Sequence, residues 1–112
     1  MIKLVYCFRK RSDMSGAAFL HYWQNVHTPL GTAMPGIRRL IQSRTVRHDS
    51  DPFPPAYDGM VEIWFDDWDA LGRARVSREW ALSTDDEANF IEPGSAAYFI
   101  TEERTVLDSG KN

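Results

Sequence analysis

The sequence predicts an α+β fold in which a four-stranded antiparallel sheet carries helices on one face. Three observations lead there. Ile2–Arg9 and Tyr57–Phe65 alternate their side chains at the period of a strand. Phe19–Leu30 instead places Phe19, Tyr22, Trp23, Val26 and Leu30 in one arc of a helical wheel, the apolar stripe of an amphipathic helix. Taken along the chain the elements run β-α-β-β-α-β, and the split βαβ, ferredoxin-like arrangement is the economical way to pack that order. The length of 112 residues and an apolar content of 43% suit one domain with one core.

The first strand, Ile2–Arg9, sets Ile2, Leu4, Tyr6 and Phe8 against Lys3, Val5, Cys7 and Arg9. Because the second set is only partly polar, both faces of the sheet are expected to be at least partly covered. Asp13 or Ser15 can cap the helix that follows by accepting from an early backbone N–H. That helix is expected to run to about His27 and to stop at Thr28-Pro29, since proline disfavours helical geometry in the residue before it. Leu30–Gly36 reads as a loop and Ile37–His48 as a second strand rich in arginine. Asp49–Ala56 holds three of the six prolines and reads as an exposed loop.

In the third strand Tyr57, Gly59, Val61, Ile63 and Phe65 share one face, and Asp58, Met60, Glu62 and Trp64 the other. Asp66 or Asp67 can cap a helix over Trp68–Val76. A further helical segment, Arg78–Phe90, is poorly capped around Asp85-Asp86, and Pro93-Gly94 ends it. Ala97–Val106 returns as the last strand. Residues 1–107 are expected to make the domain and 108–112 a fraying tail. Helices on one face leave the other bare, with Val5, Cys7, Leu40, Met60 and Trp64 or their neighbours exposed; a two-fold homodimer packed sheet against sheet would cover them.

Thirteen basic and sixteen acidic side chains give a net charge of −3 with the acids dispersed. Nucleic acid and anionic membrane are therefore not expected partners, as both need a clustered positive footprint. Arg9-Lys10-Arg11 is too short for one and reads as the exposed end of a strand. Cys7 stands alone, which fits a reducing cytoplasmic setting. No apolar run reaches the length of a signal peptide or a membrane span. Neither a phosphate-binding glycine loop nor a nucleophile elbow nor metal-ligand spacing is present, so no cofactor and no metal are expected.

His27 follows Trp23 by one turn at the edge of the apolar arc, and imidazole moves protons readily near neutral pH. It is the candidate general acid or base, set against a histidine that merely caps the helix's last carbonyls. His21 and His48 are weaker candidates, and Asp58 reads as a strand-end residue. Glu62 lies between Met60 and Trp64 in an apolar strand, where an ionised carboxylate needs a partner. It is read either as part of the site or as the partner of an arginine such as Arg39 or Arg44. Tyr22, Trp23, Trp64, Trp80, Phe90 and Tyr98 are the candidate walls of a pocket for a flat apolar ligand.

Three segments carry a resemblance: Phe19-x-x-Tyr22-Trp23-x-x-x-His27-x-Pro29-Leu30; Tyr57-Asp58-Gly59 leading to Glu62-Ile63-Trp64-Phe65; and Asp86-Glu87-Ala88-Asn89-Phe90 with Thr101-Glu102-Glu103. In that order they resemble the EthD family. The resemblance implies a dimeric α+β barrel and carries the family's histidine to His27 and its strand carboxylate to Glu62. It further implies a setting in small-molecule degradation or polyketide tailoring, among dehydratases, cyclases and cofactor-free oxygenases. Three functions are accordingly expected in turn: a cofactor-independent acid–base enzyme on an aromatic or polyketide-like molecule, a cofactor-free monooxygenase, or a non-catalytic carrier of a small aromatic ligand.

Overall fold

The computed structural model describes residues 1–110, so Lys111 and Asn112 of the expected tail lie outside the described residues. The strands are β1 (Ile2–Phe8), β2 (Arg39–Arg44), β3 (Gly59–Phe65) and β4 (Ala97–Thr101), and the main helices are α1 (Gly16–His21), α2 (Thr28–Thr32), α3 (Trp68–Arg75) and α4 (Arg78–Asp86). The sheet order is β2-β3-β1-β4 with every neighbouring pair antiparallel. The helices pack on one side, giving the ferredoxin-like α+β fold. β2 and β4 are shorter than the sequence suggests. Beyond Arg44 the Thr45 N–H still donates to the Asp58 carbonyl at 3.0 Å before the chain leaves the sheet, and the pairing of β4 with β1 ends at Thr101; alternating composition alone does not hold a strand.

Three side chains start the helices. Ser15 accepts from the Ala18 N–H at 3.1 Å, Asp67 from Ala70 at 2.8 Å, and Ser77 from Trp80 at 3.1 Å. Each satisfies one of the orphan donors of a first turn. Ser77 is the cap that the Arg78–Phe90 segment lacks in the sequence reading.

The expected stop at Pro29 does not occur. Between α1 and α2 the chain makes a π-helical turn over Tyr22–His27, and Pro29 sits in the first turn of α2. A proline is tolerated there because the N–H it lacks would have no helical partner anyway. The Thr28 hydroxyl donates to the Trp23 carbonyl at 3.0 Å, and Gln42 of β2 donates to that hydroxyl at 2.9 Å. The wide turn also corrects the helical wheel. Val26, which an α-helical wheel puts in the apolar arc, is 45% exposed, because a π turn holds more residues than an α turn and shifts the side-chain directions away from that wheel.

Two apolar clusters fill the layer between sheet and helices. Ile2, Leu4, Ile63, Phe65 and Leu71 form one, and Phe8, Phe19, Trp23, Phe90 and Ile91 the other. Burying each such side chain is worth about 1.5–3 kcal/mol. In the aromatic cluster Phe8 meets Trp23 and Phe90 edge to face at 5.0 and 5.9 Å.

The far face of the sheet is not bare. Val5 and Trp64 are buried within the single chain. Trp64 lies between the Lys3 ammonium and the Arg39 guanidinium, and its indole N–H donates to Glu103 at 2.9 Å. Leu40 points to the helical side and packs on the core, so Ile41 replaces it on the far face, opposite Glu62. Phe99 remains 55% exposed there.

Candidate functional site

A cavity of about 280 Å³ opens between the two clusters, floored by the sheet and roofed by the helical segments. Leu4, Phe8, Val61 and Ile63 contribute from the sheet, and Trp23, Trp80 and Phe90 from the other side. Its polar groups are few: Tyr6, His27, Thr28, Gln42, Ser83 and Glu87 among them. Exposed Thr84 and Tyr98 form part of the lip.

His27 reaches this wall from the end of the π turn. It does not sit at a helix C-terminus, since the helical path continues through Thr32. Its ring packs tilted against Phe90, with centroids 4.7 Å apart and planes at 51°. Nδ1 is 2.8 Å from Asp86 Oδ2, and Nε2 is 3.4 Å from the Ser83 hydroxyl. A carboxylate accepts only, so Nδ1 carries the proton in that bond and a neutral ring keeps its lone pair at Nε2.

Asp86 is well supplied with donors. Tyr22 donates its hydroxyl to Oδ1 at 2.5 Å, and Asn89 donates to the same oxygen at 2.9 Å. Burial alone would raise the pKa of this carboxyl, but the hydrogen bonds from Tyr22, His27 and Asn89 outweigh it and hold the group below the usual range. The same bond pushes the Tyr22 phenol up, with burial adding to it. Asp86 thus stays an anion beside His27, able to orient the ring.

A second pair lies one residue on. Tyr6 of β1 donates to Glu87 Oε1 at 2.6 Å. Burial raises the Glu87 carboxyl; the Tyr6 bond opposes that and neighbouring Asp86 reinforces it. Burial, with the Glu87 bond added, also drives the Tyr6 phenol well above its ordinary value. The segment is fastened over the end of β1 by Arg11 N–H donating to the Phe90 carbonyl and Glu92 N–H to the Arg9 carbonyl, both at 2.9 Å.

The sequence-derived candidates divide. Trp23, His27, Trp80, Phe90 and Tyr98 line the cavity; Tyr22 does not, and its hydroxyl is engaged by Asp86 behind His27. Glu62 and Trp64 do not. Both belong to the far face of β3, where Glu62 accepts from Lys3 at 2.8 Å, a bond that raises the lysine's pKa. Asp58 accepts from the Lys10 backbone N–H at 2.9 Å and pairs with Arg47. His21 is exposed beside Asn25, and His48 lies in a loop beside Ser50. Among the described residues no three His, Cys, Asp or Glu side chains gather as a metal would require. No helix there is long and apolar enough to cross a membrane.

An EthD-domain family model matches residues 11–94. The chain is a member of the EthD family. Among solved structures it is similar to an ethyl tert-butyl ether D (EthD) family protein from Bacillus halodurans, at 27% identity and a TM-score of 0.78, covering 93% of this chain and 99% of that one. It is also similar in fold to SnoaB, a cofactor-independent oxygenase from Streptomyces nogalater, at 15% identity and a TM-score of 0.67, covering 95% of each. A dimeric ferredoxin-like protein of unknown function from Thermobifida fusca matches at 12% identity and a TM-score of 0.67, covering 89% of this chain and 88% of that one. Among curated proteins none matches. The EthD match begins after β1, so it spans His27, Asp86 and Glu87 but not Tyr6.

The residues that sequence reasoning overlooked in this EthD chain are Tyr6, Ser83, Asp86 and Glu87. Tyr6 looked like one more core position on an apolar strand face. Asp86-Glu87 carried a signal, two adjacent carboxylates four and three residues before the buried Phe90, at the end of a helix that must pack its other face.

Proposed function

We propose that this EthD protein is a cofactor-independent acid–base enzyme acting on a small, flat, largely apolar molecule. The observation carrying the reading is the His27–Asp86 pair: one ring nitrogen is anchored at 2.8 Å, and the residue faces an apolar cavity. His27 removes a proton from an activated carbon; ring closure or loss of water, as in cyclases and dehydratases, then follows from the carbanion. Positioned proton transfer of this kind is worth about 10²–10⁴ in rate. Asp86, and not the strand carboxylate Glu62 that the resemblance singled out, takes the orienting role, because Glu62 is engaged by Lys3 across the sheet.

β-Tetralone, whose C–H bonds between ring and carbonyl are acidic, serves as the test substrate. In deuterium oxide the protein is expected to accelerate loss of those proton NMR signals, and His27→Gln to return the rate to that of buffer. Saturable quenching of tryptophan with no acceleration would overturn the reading in favour of a carrier. The fold shared with the Streptomyces nogalater oxygenase supports a second reading, in which the carbanion reacts with oxygen. An oxygen electrode in the same incubation separates the two.

A second copy of the chain is the proposed partner over the far sheet face. Phe99, 55% exposed, supports this, as do Val106 and Leu107 beyond a groove bordered by Lys3, Val5 and Thr101. Sedimentation at micromolar concentration is expected to give a dimer; a single 12.9 kDa species would refute it.

A further inference from the structure

The acid–base reading leaves the Tyr6–Glu87 pair unused. Tyr6 stands on the sheet floor and Glu87 on the 3₁₀ turn Glu87–Asn89, and both line the same cavity as His27. Tyr6 occupies only one oxygen of the carboxyl, and among the described residues no other side chain hydrogen-bonds to it. The charged and titratable groups around it are Tyr6 from β1, Asp86 from α4 and His27 from the π turn; His27 is already bound by Asp86. Burial and a like charge as its chain neighbour push the Glu87 carboxyl up against the opposing Tyr6 bond, and no cation is paired to it, so the range over which it holds a proton widens. A neutral carboxyl has a proton to give.

We propose that Tyr6 and Glu87 form an oxygen-binding subsite for an enolisable ketone of one or two rings, in which the carboxyl donates its proton to the carbonyl oxygen while His27 Nε2 faces the adjacent carbon. This rests on the reading of the cavity as an acid–base site. The volume of about 280 Å³ lies at the lower edge of the ~300–1,000 Å³ usual for small-molecule sites, which suits a guest of one or two rings. Trp23, Trp80 and Phe90 supply the walls that hold a flat ring.

The step balances. His27 takes the proton from carbon, and the C–H electron pair becomes the C=C bond. The carbonyl π pair moves to oxygen and takes the Glu87 proton. Enol, imidazolium and carboxylate result, with the imidazolium beside Asp86, and the reverse transfers restore both groups. A donor placed where oxygen gains charge commonly contributes about 10²–10³ in rate.

β-Tetralone and tetralin differ by one carbonyl that can only accept. Tryptophan quenching is expected to show the ketone binding about tenfold tighter, the factor of one buried hydrogen bond, with its infrared carbonyl stretch lowered when bound. Glu87→Leu is expected to erase both effects while leaving tetralin binding intact. Glu87→Gln, which keeps a donor but no acidic proton, retains the stretch shift and loses exchange. If wild-type protein shows no preference and no shift while His27-dependent exchange persists, the subsite is overturned and the acid–base reading stands. Preference and shift without any exchange overturn the acid–base reading alone. Failure of both compounds to bind at millimolar concentration also overturns the subsite, and these wild-type arms decide even where Glu87→Leu does not fold.

Discussion

Gly59→Ala is expected to lower folding stability by about 3 kcal/mol, the upper end of the usual cost of overpacking a core. A Cβ on Gly59 would stand 2.8 Å from both Cη2 and Cζ3 of Trp23 and 3.0 Å from Cε1 of Phe8. Both rings are 1% exposed and Phe8 is held edge to face by Trp23 and Phe90, so relief would have to come from a shift of the aromatic cluster toward the cavity it lines. Close packing passes the strain on. Gly59 is also in β3, pinned on both sides by pairing with Phe8 and Arg44, so the backbone cannot yield cheaply. Urea denaturation measures the loss. Trp23→Phe in the same chain shortens the obstructing side chain, so the double variant should be less destabilised than the sum of the single variants. Strict additivity would show that the indole is not what Gly59 makes room for.

This contact also shows which parts of the molecule were legible in the sequence. On β1 and β3 the alternation is strong enough to assign faces, because Ile2, Leu4 and Phe8 lie across from Phe65, Ile63 and Gly59 in the ladder. Which face receives the helices was less plain, as Met60 and Trp64 make the other side of β3 apolar too. Trp64 is buried there by two cations and a carboxylate drawn from β1, β2 and the segment after β4, a tertiary arrangement that strand periodicity does not encode. Pro29 misled for a related reason. Its local penalty is real, yet a change from π to α hydrogen-bonding places it at a fresh helical start and costs no bond. His27 could be singled out from its place beside Trp23 and from the family resemblance. Its anchor, 59 positions away on another helix, could not, because nothing in spacing alone says that Asp86 faces it.

Asp86→Asn tests that anchor and is expected to reduce His27-dependent exchange of β-tetralone by about 10²–10⁴ at neutral pH, the range ascribed to positioned acid–base catalysis. Asparagine keeps the shape but has one acceptor oxygen and an NH₂ donor. With Tyr22 and Asn89 both donating at Oδ1, the amide satisfies them best by turning its oxygen that way and its NH₂ toward His27. Nδ1 must then accept, so the ring's proton moves to Nε2 and the cavity-facing nitrogen can no longer take one. A wrong tautomer of this sort disables the histidine of serine proteases while leaving its geometry in place. Ring ¹⁵N chemical shifts should report the exchange of roles between the two nitrogens, and tryptophan quenching by tetralin should be unchanged, since no wall of the cavity has moved. Acid gives a further readout. Because hydrogen bonds hold the Asp86 carboxyl below its unfolded value, its contribution to stability is present above that value and is lost as pH falls through the depressed one. The difference in stability between the native protein and Asp86→Asn should therefore narrow as the solution is acidified. An unchanged exchange rate in Asp86→Asn, with Nδ1 still protonated, would mean that His27 is oriented by something other than this carboxylate.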